Sequence, residues 1–122
     1  MAQVRSYQSA ELRGRRAERA ARWWLRLQGY RILASGYRVP VGEIDIVARR
    51  GAILAIVEVK TRADLDRAAY AIGGRQRRRI QRATEAYISA HPALVNRQVR
   101  FDAILVAPWR WPRHLKAAWQ AQ

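Results

Sequence analysis

The 122-residue chain contains no cysteine, only two histidines, and a single methionine and phenylalanine. Without cysteine, disulfides and thiolate zinc centres are excluded. His91 and His114 alone do not furnish a histidine-rich metal site. No apolar run approaches the roughly 18 residues of a membrane span, and the opening MAQVRSYQSAELRGRRAER has no apolar segment of signal length. No membrane partner is expected, and the expected address is cytoplasmic. Acidic residues are scarce as well, 9 against 24 basic, for a formal charge of +15. Such an excess favours a polyanion, nucleic acid ahead of an acidic membrane surface. Lysine is the rarest cation: only Lys60 and Lys116 are lysine, and every other basic residue is arginine. Lys60 draws notice because a buried lysine can lose its proton beside a metal, whereas arginine effectively cannot.

Half of the residues are hydrophobic, enough for a folded core in one domain over residues 1–122, with 1–8 as a loose start. Ser9 is placed to cap a helix, and Glu11 suits its first turn. That helix runs to about Gln28, with Leu12, Ala20, Trp23, Trp24 and Leu27 as its apolar stripe, and Gly29 ends it. Tyr30 to Val39 reads as a strand bent near Ser35 and Gly36. Glu43 to Arg49 and Ala52 to Lys60 form a hairpin, the second strand being apolar on both faces as a central strand would be. Residues 63–74 read as a loop or short helical turn. A second helix follows over about 75–90, with Ile80, Thr84, Tyr87 and Ile88 inward, and then a strand from Val99 to Ala107. The tail is expected to begin irregularly and end in a short helix with Leu115 and Trp119 packed inward. The order predicts an α/β fold, an α-β-β-β-α-β core with a mixed sheet flanked by helices. The second helix serves as the crossover to a parallel last strand.

The stretch GEIDIVARRGAILAIVEVKTR, Gly42 to Arg62, sets charged residues inside these strands. Asp45 lies between Ile44 and Ile46, while Glu58 and Lys60 bracket Val59. Buried charges are costly unless paired or bound to a metal, so the group is either an ion-pair cluster or a metal-dependent site. Loop parity decides whether these residues meet, because a one-residue slip reverses the faces. A two-residue loop at Arg50-Gly51 opposes Glu43 to Glu58, and one at Gly51-Ala52 opposes Asp45 to Glu58. Either puts Glu43, Asp45, Glu58 and Lys60 on one face, and the even register is predicted. Two carboxylates so placed can share Mg²⁺ through oxygen ligands, and a lysine beside them can orient water or stabilise negative charge.

This order of Asp45 and Glu58-Val59-Lys60 between two helices resembles the PD-(D/E)XK, or restriction-endonuclease-like, superfamily of nucleases, and more closely its YraN-like family. The first helix carries that family's Gly14, Ala17, Glu18, Ala21, Leu25, Gly29 and Tyr30. The centre supplies Gly42, Glu43, Ile44, Asp45, Glu58, Val59, Lys60 and Arg62, and a late motif is met by Arg100, Phe101 and Asp102. The resemblance implies a Mg²⁺- or Mn²⁺-dependent nuclease acting on DNA, with a repair or recombination role. Asp45, Glu58 and Lys60 would be catalytic. The metal would be held by Asp45 and Glu58, with Glu18 and Glu43 as further candidates. Glu18 otherwise makes a surface pair with Arg22 or Arg15, and Glu43 otherwise steadies a turn. Arg62, Arg75, Arg78, Arg79 and Arg82 are the nucleic-acid-binding candidates. Relatives commonly carry a lysine where this helix opens with Arg75, Gln76 and Arg77, so a phosphate contact there falls to arginine or is absent. The alternative is a non-catalytic nucleic-acid-binding module on the same scaffold. Asp102 reads foremost as a structural partner of Arg100, and His114 offers no partner. Trp109 and Trp111 read as core or dimer packing before base stacking.

Overall fold

A computed structural model describes the backbone of residues 2–61 and 74–121, with side chains from residue 14 onward within those spans. Arg62 and the loop expected from residue 63 lie outside the described residues, except for Gly74. The order is α1 (Ala2–Leu27), β1 (Arg31–Val39), β2 (Gly42–Arg50), β3 (Ile53–Thr61), α2 (Gly74–Ala90), a 3-10 turn (Pro92–Leu94), β4 (Gln98–Val106) and β5 (Arg113–Trp119). The strands lie side by side in chain order, antiparallel except for the parallel pair β3–β4. The result is an α/β fold with a five-stranded mixed sheet and two helices, consistent with a restriction-endonuclease-like core. Among the described residues no helix is long and apolar enough to cross a membrane.

β3 is the strand that both helices need. Leu54 and Ile56 face the cluster beneath α2, with Ile80, Ala83 and Tyr87, while Ala55 and Val57 face the cluster beneath α1. Strand alternation therefore sends one apolar row to each helix, which is why the run ILAIV carries no charge. On the α1 side, the buried helix row is Ala17, Ala21 and Leu25, spaced by four. Trp23 and Leu27, expected inward, are exposed instead. Alanine at 17 and 21 brings the helix backbone close to the sheet, and the bulky tryptophan of that turn is left outside. α1 also begins at Ala2, so residues 2–8 belong to the helix and Ser9 lies within it.

The C-terminal segment is the second departure. Residues 113–119 form a strand, where the sequence suggested a helix. A helix of that length is marginal by itself, whereas the open edge of β4 offers unpaired backbone groups to a strand. Trp119 is buried as expected, stacked on Phe101 with ring centroids 4.1 Å apart.

On the other face, α2 lies against β2 at a glycine. A Cβ on Gly42 would fall 1.8 Å from the Arg79 carbonyl oxygen, an overlap that backbone atoms cannot relieve. Gly42→Ala should therefore destabilise the fold by more than about 2 kcal/mol in urea unfolding. Gly14→Ala, on α1 where a Cβ meets nothing within 4 Å, should be neutral or stabilising by up to about 1 kcal/mol.

Candidate active site

The hairpin loop is Gly51-Ala52: Arg50 pairs with Ile53, and the ladder runs from there to Ile46 and Val57. Gly51 takes the positive φ of 57° that this tight turn demands and glycine allows. The register is the even one, and one more step would set Asp45 opposite Glu58. The ladder stops there for a reason. Ile44 and Val47 both pack beneath α2, while Ile46 packs beneath α1. Strict alternation thus slips once, at Asp45. Its carboxylate takes the place of the next backbone partner, with Oδ2 accepting the Val59 N–H at 2.9 Å.

Glu58 and Lys60 share a face, as residues two apart on a strand do. Glu58 is buried, and its Oε1 accepts from both Lys60 Nζ, at 2.5 Å, and Gln76 Nε2, at 2.8 Å. Its Oε2 is also buried and has no hydrogen-bond partner among the described residues. Leaving such an oxygen without a donor costs on the order of 1–3 kcal/mol. Gln76 arrives from the first turns of α2, whose position depends on the contact at Gly42. The residues meet in a small cleft of about 40 Å³, lined by Asp45, Glu58, Gln76, Arg79 and Trp119 among others. A water needs only about 10–15 Å³, so there is room for a small ion with water.

Burial pushes the Asp45 carboxyl up to about 6. The negative charges of Glu18, Glu58 and Glu43 push in the same direction, and the Val59 hydrogen bond partly opposes them. Glu18, half-buried on α1, is therefore close enough to be felt at Asp45. Glu43 lines the cleft with Asp45 and Glu58, though its side chain is exposed and pairs with Arg38, its neighbour across β1–β2, at 3.3 Å. Among the described residues, no group of three or more Asp, Glu, His or Cys is gathered to hold a metal unaided. A metal here would have two carboxylate ligands and take its remaining oxygens from water and substrate, a pattern that suits Mg²⁺. Arg75, Arg78, Arg79 and Arg82 are all exposed along α2, and Arg79 lines the cleft.

Gln76 was not singled out from sequence as a partner of Glu58. Its signal was its place one turn before Ile80, on the stripe that continues through Thr84. A second cluster lies across the sheet. Asp102 is fully buried and accepts from Arg100 Nε and Nη2, each at 2.8 Å, and from the Ala117 N–H at 3.0 Å. His114 Nε2 also lies 2.8 Å from Asp102 Oδ2. His114, expected to lack a partner, has one because β5 forms and carries it inward. Arg100 also donates to the Tyr30 hydroxyl. Trp109 and Trp111 are exposed, outside any core.

The sequence pattern described as Uncharacterised protein family UPF0102 matches residues 17–106. A UPF0102 protein of Paramagnetospirillum magneticum is 50% identical over 120 residues, covering 95% of this chain and 93% of its own length. One from Nitrobacter winogradskyi is 54% identical over 108 residues, 88% of this chain and 92% of its own. Another, from Methylocella silvestris, is 52% identical over 105 residues, 86% and 85% of the two chains. Asp45, Glu58, Lys60 and Gln76 lie inside the matched span; Trp109 and Trp111 lie beyond it.

The raised Asp45 carboxyl has a stability consequence with a definite sign. The folded state holds this proton more tightly than the unfolded chain, whose value is near 3.8. The associated stability is therefore fully present below that value and is lost as pH rises through about 6. Asp45→Asn keeps an oxygen for Val59 and never ionises. Thermal unfolding across about pH 4 to 8 should show the variant more stable than wild type at the upper end, with the gap closing towards the lower.

Proposed function

We propose that this chain, which belongs to the UPF0102 or YraN family, is a Mg²⁺- or Mn²⁺-dependent nuclease that hydrolyses phosphodiester bonds in DNA. The observation that carries the reading is the Glu58 carboxylate, buried beside Lys60 and near Asp45 with one oxygen that meets no donor among the described residues. A structural ion pair would have no use for that oxygen, whereas a cation would satisfy it.

Asp45 and Glu58 are the residues that would hold the metal. When bound, such an ion lowers the pKa of water and neutralises charge growing on a phosphate. Gln76 fixes the Glu58 carboxylate by its amide, and the Val59 N–H fixes that of Asp45. Lys60 presents an ammonium on the Glu58 side of the cleft, where it orients the attacking water or stabilises the phosphate oxygens. Glu18 and Glu43, whose charges are felt at Asp45, would be further candidates to hold the ion and would add negative potential at the site. Arg79 at the cleft and the exposed Arg75, Arg78 and Arg82 of α2 would hold the DNA backbone, with Arg62 a further candidate; such contacts position the substrate without reading its bases. Branched or damaged DNA of repair and recombination, in the cytoplasm, is the substrate and setting that fit.

A second reading is a non-catalytic nucleic-acid-binding module on the same scaffold, favoured by the Lys60–Glu58 pair, which satisfies both charges without metal. The two separate on cleavage. Linear, nicked and branched DNA should be cut by wild type only with Mg²⁺ or Mn²⁺. Asp45→Ala and Lys60→Ala should each reduce the rate by about a hundredfold or more. Calorimetric titration should find Mn²⁺ bound by wild type and not by Glu58→Ala. Salt-dependent DNA binding that ignores metal, with no cleavage beyond that of the variants, would establish the binding module instead.

A further inference from the structure

The turn between β4 and β5 carries a surface that the cleft does not use. Trp109 is fully exposed and Trp111 is 80% exposed. Trp109 is held at a φ of 64°, a left-handed backbone in which a bulky side chain is an outlier. Trp111 lies against Trp24 with ring centroids 5.7 Å apart. The aromatic surface thereby continues onto the outer side of α1, where Trp23 is also exposed. A groove of about 620 Å³ follows the turn from Leu105 to Arg113. Arg110 and Arg113 sit between and beside the rings, and residues 19–29 and 103–121 contain no carboxylate.

Two facts identify what this surface fits. The first is charge. A second copy of the chain would bring arginine against arginine, and each copy carries +15, so self-association through this face is opposed by like charge. A polyanion meets no such penalty. The second is place. In the parallel β3–β4 pair, Lys60 is level with Leu105 and Thr61 with Val106. The turn therefore leaves the sheet at the same end as Lys60, one strand away. Exposed rings interleaved with arginine suit unpaired bases, whose faces stack on the rings while the guanidinium groups take the phosphates. A duplex keeps its base faces covered and gains only the second contact.

We infer that Trp109 and Trp111, with Arg110 and Arg113, form a stacking site for unpaired nucleotides at the Lys60 end of the sheet, on the side of α1. The inference rests on the nucleic-acid reading above and refines its substrate to DNA that carries a single-stranded segment. The test measures binding of a labelled oligothymidine of about 16 nucleotides, and of a duplex of equal length, by fluorescence anisotropy with a chelator present. The ratio of single-strand to duplex affinity should fall about tenfold or more in Trp109→Ala/Trp111→Ala. Trp109→Phe/Trp111→Phe should restore most of it, and both variants should melt like wild type because the rings are exposed. An unchanged ratio overturns the proposal. So does sedimentation showing a wild-type dimer that the alanine variant dissociates. Cleavage is scored separately: a fallen ratio in a protein that cuts nothing keeps the stacking site and removes the nuclease, and an unmoved ratio in a protein that cuts does the reverse.

Discussion

Two carboxylates held inside the sheet, one with a buried oxygen that meets no donor among the described residues, set the terms for everything around them. Asp45 depends on one backbone N–H, that of Val59, which is free only because the β2–β3 ladder stops at Ile46 and Val57. That stop depends on the two-residue turn at Gly51-Ala52, which places the slip in alternation at Asp45 rather than a residue to either side. Glu58 depends on Gln76, which depends on α2 lying close enough to β2 for Arg79 to press against the bare Cα of Gly42. A turn, a glycine and one helical position thus converge on a pair of acids whose burial is otherwise unfavourable.

The opposite face shows what a carboxylate looks like when it serves the fold alone. Burial by itself would raise the Asp102 carboxyl, but hydrogen bonds from His114, Arg100 and the Ala117 N–H hold it below the usual range. Both of its oxygens are engaged. Asp45, on the neighbouring strand but one, is pushed upward by burial and by three other acids. The same side chain in the same sheet meets four donor atoms in one place and the Val59 N–H and neighbouring negative charge in the other. Evenly satisfied buried charge is an economical way to pin strands together, whereas deficit is costly and characteristic of sites that take a ligand.

The hairpin and its parity were legible because a glycine in the turn and an apolar run on each side constrain register before any packing is known. The inner face of α2 was legible for the same reason, since Ile80, Thr84 and Tyr87 recur at helical spacing. The stripe of α1 was misjudged because tryptophan scores as apolar, whereas the helix packs through Ala17 and Ala21 and needs small residues for its close approach. β5 was illegible because its local sequence is a fair helix former, and the demand that makes it a strand is the open edge of β4, a tertiary fact. His114 followed from that error: its partner exists only once β5 does. The slip in alternation at Asp45 leaves no mark in the pattern, because G-E-I-D-I-V reads as plain alternation.

One residue choice remains to be accounted for. A chain whose cations are otherwise almost all arginine uses lysine at position 60. Arginine there would present a planar fork of donors matched to a carboxylate, and would engage both oxygens of Glu58 at once. The lysine ammonium is a single point of charge and engages Oε1, the oxygen that already receives Gln76. Donors accumulate on one oxygen while the other is bare among the described residues. For a structural ion pair the fork would be the better partner, and this chain supplies arginine freely. The preference for lysine makes sense if the bare oxygen has to stay available, so the identity of residue 60 and the deficit at Glu58 are two expressions of one requirement.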